Sequence, residues 1–247
     1  MKCDTALVTG GGNGLGAAIV RALHAEGFNV GIGDLDITAA QSLADAIDPS
    51  GERVIAVPLD VRDATAFATA RDALVACWGS VEALVNNAAA TAAKPVLDIT
   101  PDEFDAVMAV NLRGTFIGCQ VFGRLFKANG YGRIVNLASL AGQNGGTATG
   151  AHYATSKGGI MTMTKVFARD LAAFGVTANA IAPGPLDTPM VHRTIPQDHM
   201  ARFLTNIPVG QLGDPAFIAS MAARLCARDA GFMTGATIDI NGGLYMR

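Results

Sequence analysis

Short apolar runs alternate along this chain with longer segments whose apolar positions recur every third or fourth residue. The runs at 5–9, 29–33, 53–58, 82–86, 132–137, 176–181 and 236–240 read as strands, and the segments near 14–26, 37–47, 64–77, 101–127, 152–174 and 214–228 as helices. Thr100-Pro101-Asp102-Glu103 and Asp214-Pro215 supply cap and first-turn residues for two of those helices. Such alternation is the pattern of repeated βαβ units. The expected fold is α/β: one doubly wound, seven-stranded parallel sheet with helices on both faces, in a single domain over 1–247. Ala83-Leu84-Val85 and Arg133-Ile134-Val135 are short and mainly apolar, as strands covered on both faces are. One stretch, 183–213, breaks the rhythm with Pro183, Pro185, Pro189, Pro196 and Pro208, and it reads as an irregular lid. Its Leu186, Met190, Val191, Ile195, Met200, Phe203, Leu204 and Ile207 suit an apolar substrate under a closing flap.

Composition narrows the class. Charged residues are 16% and hydrophobic ones 50% of 247 positions, which excludes a disordered chain. The charge deficit is filled by 44 alanines and 29 glycines, so backbones approach closely, helix on sheet or subunit on subunit. A net charge of −3 without any Lys/Arg block argues against nucleic acid as a partner. Cys3, Cys77, Cys119 and Cys226 are far apart, show no zinc spacing, and read as reduced, mostly buried thiols. The first residues run straight into an apolar segment too short for a leader peptide or a membrane span, so the expected compartment is the cytosol.

In an open parallel sheet, ligands bind outside the carboxyl ends of the strands. The first strand leaves into Thr9-Gly10-Gly11-Gly12-Asn13-Gly14-Leu15-Gly16 and then a helix, a turn that lets backbone N–H groups and a positive helix end meet a pyrophosphate. Alone, a glycine-rich turn is weak evidence, because plain geometry also asks for one. Asp34 closes the second strand, near the distance expected of an acid that binds an adenosine ribose. A carboxylate there accepts the ribose hydroxyls of NAD and repels the 2′-phosphate of NADP, and no Arg or Lys follows within 34–40 to relieve that repulsion. NAD is therefore expected over NADP. Tyr153 and Lys157, one helical turn apart, can address one ligand, and a nearby ammonium is expected to lower the phenol's pKa toward use as a base.

Thr9-Gly10-xxx-Gly14-x-Gly16, Asp60-Val61, Asn86-Asn87-Ala88, Asn111, Ser139, Tyr153-xxx-Lys157 and Pro183-Gly184, in this order, resemble the short-chain dehydrogenase/reductase family over essentially the whole chain, with its Rossmann-type fold. The resemblance implies that Tyr153 is the general acid/base at a carbonyl or alcohol oxygen and that Ser139 hydrogen-bonds the same oxygen. It implies that Lys157 holds the nicotinamide ribose and that Asn111 holds a water linking Lys157 to solvent. For the cofactor it implicates Gly10, Gly12, Asn13, Gly14, Leu15 and Gly16 at the pyrophosphate, and Asp34 and Leu35 at the adenosine ribose. Asp60 and Val61 would meet the adenine, Asn87, Ala88 and Ala89 the adenosine side and central strand, and Pro183, Gly184, Leu186 and Thr188 the nicotinamide carboxamide.

Departures matter too. Ala89 stands where the family usually has glycine, which asks for a backbone that tolerates a Cβ. The glycine-rich segment 140–152 is expected to be mobile and to line the substrate pocket. His152, beside Tyr153, is read as a helix-start or pocket-wall residue more than as a second acid/base, and neither His192 nor His199 has ligand-spaced partners, so no metal is expected. The end, Asp239-Ile240-Asn241-Gly242-Gly243-Leu244-Tyr245-Met246, looks like that of 3-oxoacyl-(acyl-carrier-protein) reductases. Those enzymes resemble one another in preferring NADPH and in carrying two basic docking residues, whereas this chain has Asp34, Lys127 and then Phe174. The leading expectation is an NAD(H)-dependent oxidoreductase of a small-molecule secondary alcohol or ketone, with a 3-hydroxyacyl compound as one candidate. The alternatives are an NADPH-dependent carrier-linked reductase and, in another class, a non-catalytic cofactor sensor. The resemblance also implies a homotetramer with helices 101–127 and 152–174 paired across subunits, their Gly114, Gly118, Gly158, Gly159, Ala168 and Ala172 permitting close approach.

Overall fold

The computed structural model describes residues 3–146, 149–188, 191 and 197–247. Seven parallel strands form one sheet: β1 (Thr5–Thr9), β2 (Asn29–Asp34), β3 (Val54–Pro58), β4 (Ala83–Asn86), β5 (Gly132–Leu137), β6 (Val176–Pro183) and β7 (Thr237–Ile240). Their spatial order is β3-β2-β1-β4-β5-β6-β7. The chain works outward from β1 to β3, then returns to lay β4 on the other side of β1. Thr9 is in register with Gly33 on one flank and Asn86 on the other, so a crevice opens where the strand order reverses.

Helices cover both faces. On one, α1 (Gly14–Ala25), α2 (Ile37–Ile47) and α9 (Pro215–Cys226) bury Ile19, Leu23, Leu43 and Ile218 against Val8, Val30 and Val135. On the other, α3 (Ala64–Trp78), α5 (Gly114–Asn129) and α7 (Ala151–Leu171) enclose Phe67, Leu74, Phe122, Phe126 and Ala168 with Leu84 and Ile134. The Phe67 and Phe122 rings meet edge-on at 6.5 Å, a geometry favoured by the ring quadrupole. Both anticipated helix starts are present: Thr100 and Glu103 form a reciprocal capping box ahead of α4 (Pro101–Met108), and Asp214 caps α9 through Ala216 N–H.

Four expectations need correction. The helix expected over 101–127 is interrupted by a π turn, Ala109–Arg113, which lodges buried Asn111 between α4 and α5. Segment 140–152 is not simply a loop, since α6 (Ala141–Asn144) forms directly after Ser139; residues 147–148 lie outside the described residues. Stretch 183–213 contains α8 (Gln197–Thr205), whereas Pro189, Met190, His192, Ile195, Pro196 and the side chain of His199 lie outside the described residues. Cys119 and Cys226 are buried, but Cys3 and Cys77 are exposed; all four are free.

The small residues expected at a subunit contact are used within the chain. A Cβ on Gly118 would lie 2.5 Å from Asn86 Oδ1 and 3.0 Å from the Phe67 ring, and one on Gly114 would lie 2.9 Å from Val61. Gly158 is pressed against the Gly142 carbonyl, Gly159 against Leu112, and Ala168 is buried, leaving Ala172 alone exposed. Because the atoms facing Gly118 are themselves buried, Gly118→Ala is expected to destabilise the protein by about 1–3 kcal/mol, read from the urea unfolding midpoint. An unchanged midpoint would return these positions to the surface.

Candidate active site

At the carboxyl edge of β1, Gly10 and Gly14 adopt φ values of 62° and 54°, which residues with a side chain rarely take. A Cβ on Gly16 would collide with the Gly10 carbonyl, so α1 can begin this close to the strand only with glycine there. Asn13 is the N-cap of α1 but makes no side-chain cap bond, and no acidic residue occupies the first turn. The positive end of the helix and its free N–H groups are thus left open to an anion. Asn87 fastens this turn to β4 by donating to the carbonyls of Thr9 and Gly10 at 3.1 and 3.0 Å. Thr9 Oγ1 accepts in return from the N–H groups of Asn87 and Ala88 at 3.0 and 3.1 Å. Among the described residues no non-glycine residue has positive φ, so Ala89 carries its Cβ without strain.

Asp34 ends β2 with both carboxylate oxygens oriented by backbone: Gly12 N–H donates to one at 2.9 Å and Asp36 N–H to the other at 3.0 Å. The carboxylate stands 3.0 Å from where a Gly12 Cβ would be, so the acid and the glycine turn form one surface. Leu35 beside it is 69% exposed. Further along the edge, Asp60 is paired with Arg62, whose guanidinium holds the carboxyl below its ordinary range. The Val61 side chain packs in the core beneath Gly114.

The second half of the edge gathers Ser139, Tyr153 and Lys157. Leu137 ends β5, and its carbonyl accepts from Lys157 Nζ at 2.6 Å within the buried interior. The ammonium lies 5.6 Å from the centroid of the Tyr153 ring. Ser139 Oγ accepts from Ala141 N–H at 3.1 Å and stands beside the Tyr153 phenol, where its hydroxyl acts to lower the phenol's pKa. Burial pushes the phenol above its ordinary pKa, and the Ser139 bond offsets this only in part. The net shift of the phenol is therefore upward, set by burial, and not the lowering expected from Lys157.

Asn111 is held by the loop after β4 and by α7. Its Oδ1 accepts from Ala90 N–H at 2.7 Å, and its Nδ2 donates to Ala90 O at 2.9 Å and to Ser156 Oγ at 3.0 Å. Both amide hydrogens are used within the protein, so the side chain ties the loop after β4 to α7. Sequence reasoning missed Ser156, although its place inside the Tyr153–Lys157 turn is a usable signal; the Leu137 carbonyl has no sequence signal at all. Pro183 accepts from Leu140 N–H at 2.9 Å, Gly184 donates to Ile240 O at 2.8 Å, and Leu186 bridges to Gly213, which sets the entry to 183–213 beside the site. Thr188 Oγ1 accepts from Val191 N–H at 3.4 Å.

A family model described as Enoyl-(Acyl carrier protein) reductase matches residues 10–245. The chain is 34% identical to a (3R)-3-hydroxyacyl-CoA dehydrogenase of Homo sapiens, over all of this chain and 97% of that protein. It is 40% identical to an acetoacetyl-CoA reductase of Shinella zoogloeoides, over 97% of this chain and 98% of the relative. A 3-oxoacyl-(acyl-carrier-protein) reductase of Escherichia coli strain K12 is 33% identical, over 98% of this chain and 97% of its own length. The chain belongs to the short-chain dehydrogenase/reductase family. It falls on the 3-oxoacyl-reductase-like branch and is an oxidoreductase acting on CH–OH groups with a nicotinamide cofactor. No helix among the described residues is long and apolar enough to cross a membrane.

Burial brings the Lys157 ammonium of this dehydrogenase down to about 8 from its ordinary 10.5. Below pH 8 the folded chain bears the full cost of a buried cation; between 8 and 10.5 it releases a proton that the unfolded chain keeps, so this contribution to stability rises with pH. Cys119 and Cys226, pushed up to about 12 from 9.0, act oppositely because unfolded thiols ionise first. The comparison that isolates Lys157 is cofactor-free wild type against Lys157→Met in urea at about pH 7.5 and 10. Wild type should gain on the variant as pH rises; a flat or shrinking difference would contradict the burial cost.

Proposed function

We propose that this chain is an NAD(H)-dependent dehydrogenase/reductase that interconverts a 3-hydroxyacyl and a 3-oxoacyl thioester of modest size. The observation that carries it is the grouping of Ser139, Tyr153 and Lys157 at the edge where Asp34 also ends its strand. Gly10 to Gly16 and the open start of α1 fit a pyrophosphate, and Asp34, its oxygens already aimed by two N–H groups, fits the paired hydroxyls of an unphosphorylated ribose. Bound there, the nicotinamide supplies or takes up the hydride. Toward the substrate, Ser139 donates to the oxygen of C3 and holds it beside Tyr153. In reduction the phenol gives that oxygen its proton as hydride arrives at C3; in oxidation the phenolate takes the hydroxyl proton as hydride leaves. The raised phenol pKa favours the proton-donor form, and Lys157, with donors beyond the one spent on Leu137, would hold the nicotinamide ribose. Segment 183–213, with α8, would cover the substrate.

The names of the (3R)-3-hydroxyacyl-CoA and acetoacetyl-CoA relatives support the acyl group. A carrier-linked, NADPH-dependent reaction is the second reading, its carrier-linked substrate supported by the name of the Escherichia coli relative. Against it, the Lys127 ammonium lies 4.2 Å from the centroid of the Phe174 ring, drawn into a cation–π contact within the chain instead of standing beside a second cation for an acidic carrier. Assembly as a homotetramer through α5 and α7 now finds support in exposed Phe116 and Val166 rather than in the small residues.

Steady-state reduction of acetoacetyl-CoA tests the reading. We expect kcat/KM with NADH to exceed that with NADPH by at least about tenfold, and Asp34→Ser to narrow the ratio, since about 1.4 kcal/mol of differential binding is tenfold. Preference for NADPH, or turnover only with a carrier-bound substrate, would favour the second reading.

A further inference from the structure

The helix that carries Tyr153 begins behind Gly150, an N-cap residue without a side chain to satisfy the first N–H groups. The neighbouring imidazole takes over that task. His152 Nδ1 accepts from Tyr153 N–H at 2.9 Å, and the ring is buried, 1% exposed. A Cβ on Gly150 would collide with its Cε1 and lie 2.7 Å from its Nδ1, so the glycine cap leaves room for the ring. Accepting at Nδ1 requires the neutral imidazole with its proton on Nε2. The carbonyl of Tyr153 is held as well: Ser156 Oγ donates to it at 2.7 Å and accepts from Asn111 Nδ2. Both anchors lead to one loop, because Asn111 binds Ala90 and Gly150 N–H donates to Ala92 O at 3.1 Å.

We propose that His152 is a positioning residue for Tyr153, fixing the N–H side of its peptide while Ser156 fixes the carbonyl side. This rests on the reading of Tyr153 as the proton-transfer group. The phenolic oxygen lies at the far end of a rigid ring, so a small rotation of the peptide at the helix start becomes a large displacement of the hydroxyl. A displacement of about 1 Å in a reacting group costs on the order of 10²-fold in rate. His152 itself is buried beneath the helix start and does no chemistry on the substrate.

Asparagine and glutamine distinguish positioning from bulk, since Asn Oδ1 sits at the same number of bonds from the backbone as His Nδ1 and Gln Oε1 sits one bond farther. His152→Ala, His152→Asn and His152→Gln are compared with wild type for kcat and KM with NADH and acetoacetyl-CoA, and for hydrogen exchange at the Tyr153 amide in the cofactor-free protein. We expect His152→Ala to lose about tenfold or more in kcat, with KM for NADH within about twofold and faster Tyr153 exchange, His152→Asn to recover to within about threefold, and His152→Gln to remain low. Wild-type kcat in His152→Ala, or equal kcat in the Asn and Gln variants, overturns the proposal; if the Ala variant does not fold, the Asn and Gln pair decides. Tyr153→Phe runs beside them: retained turnover there would mean that the catalytic reading has failed, whereas its loss together with an unaffected His152→Ala would mean that only the positioning role has.

Discussion

Lys157 Nζ donates to the carbonyl of Leu137 at 2.6 Å in the buried interior, and the arrangement of the working edge follows from that contact. A buried ammonium is costly unless a strong acceptor meets it, so the register of α7 against the end of β5 is tightly specified. Once that register is set, Tyr153 stands one turn earlier on the same helix face, and Ser139, two residues beyond Leu137, meets its phenol. The closeness also explains the glycines: α6 can follow Ser139 only because Gly142 and Gly158 let the two helices touch through backbone.

The cofactor half of the edge obeys a complementary constraint. There the chain leaves an electrostatic vacancy, an uncapped positive helix end, and sets a fixed carboxylate beside it. Asn87 and Thr9 lock the glycine turn to β4, so the region that would accept the pyrophosphate and the region that would place the nicotinamide are tied to adjacent central strands. Parallel strands bring both halves to one rim. The sheet's order reversal, more than any single residue, is what lets positions as distant as Asp34 and Tyr153 serve one ligand.

Much of this was legible in the sequence because strand exits carry compact, ordered signals. Strand positions, helix starts at Thr100 and Asp214, the glycine turn and the Tyr153/Lys157 spacing depend on local chemistry and periodicity, and these came through nearly intact. What failed depended on tertiary neighbours. Gly114, Gly118, Gly158 and Gly159 look alike in sequence whether they face a sheet or a subunit, and only the positions of Val61, Asn86, Gly142 and Leu112 decide. The π turn at Asn111 has no periodic signature, and it places the Asn111 amide as a bridge between Ala90 and Ser156. The direction of the Tyr153 shift turned on burial, which a residue pattern does not encode.

The most direct test of the central claim is single-turnover oxidation of NADH by Tyr153→Phe saturated with acetoacetyl-CoA, with NADH affinity measured on the same preparation. The account predicts near wild-type NADH binding and a hydride-transfer rate lower by about 10²–10⁴-fold, the range that a positioned general acid contributes. Decay of NADH absorbance within about tenfold of the wild-type rate, by protein that binds NADH normally, would contradict it.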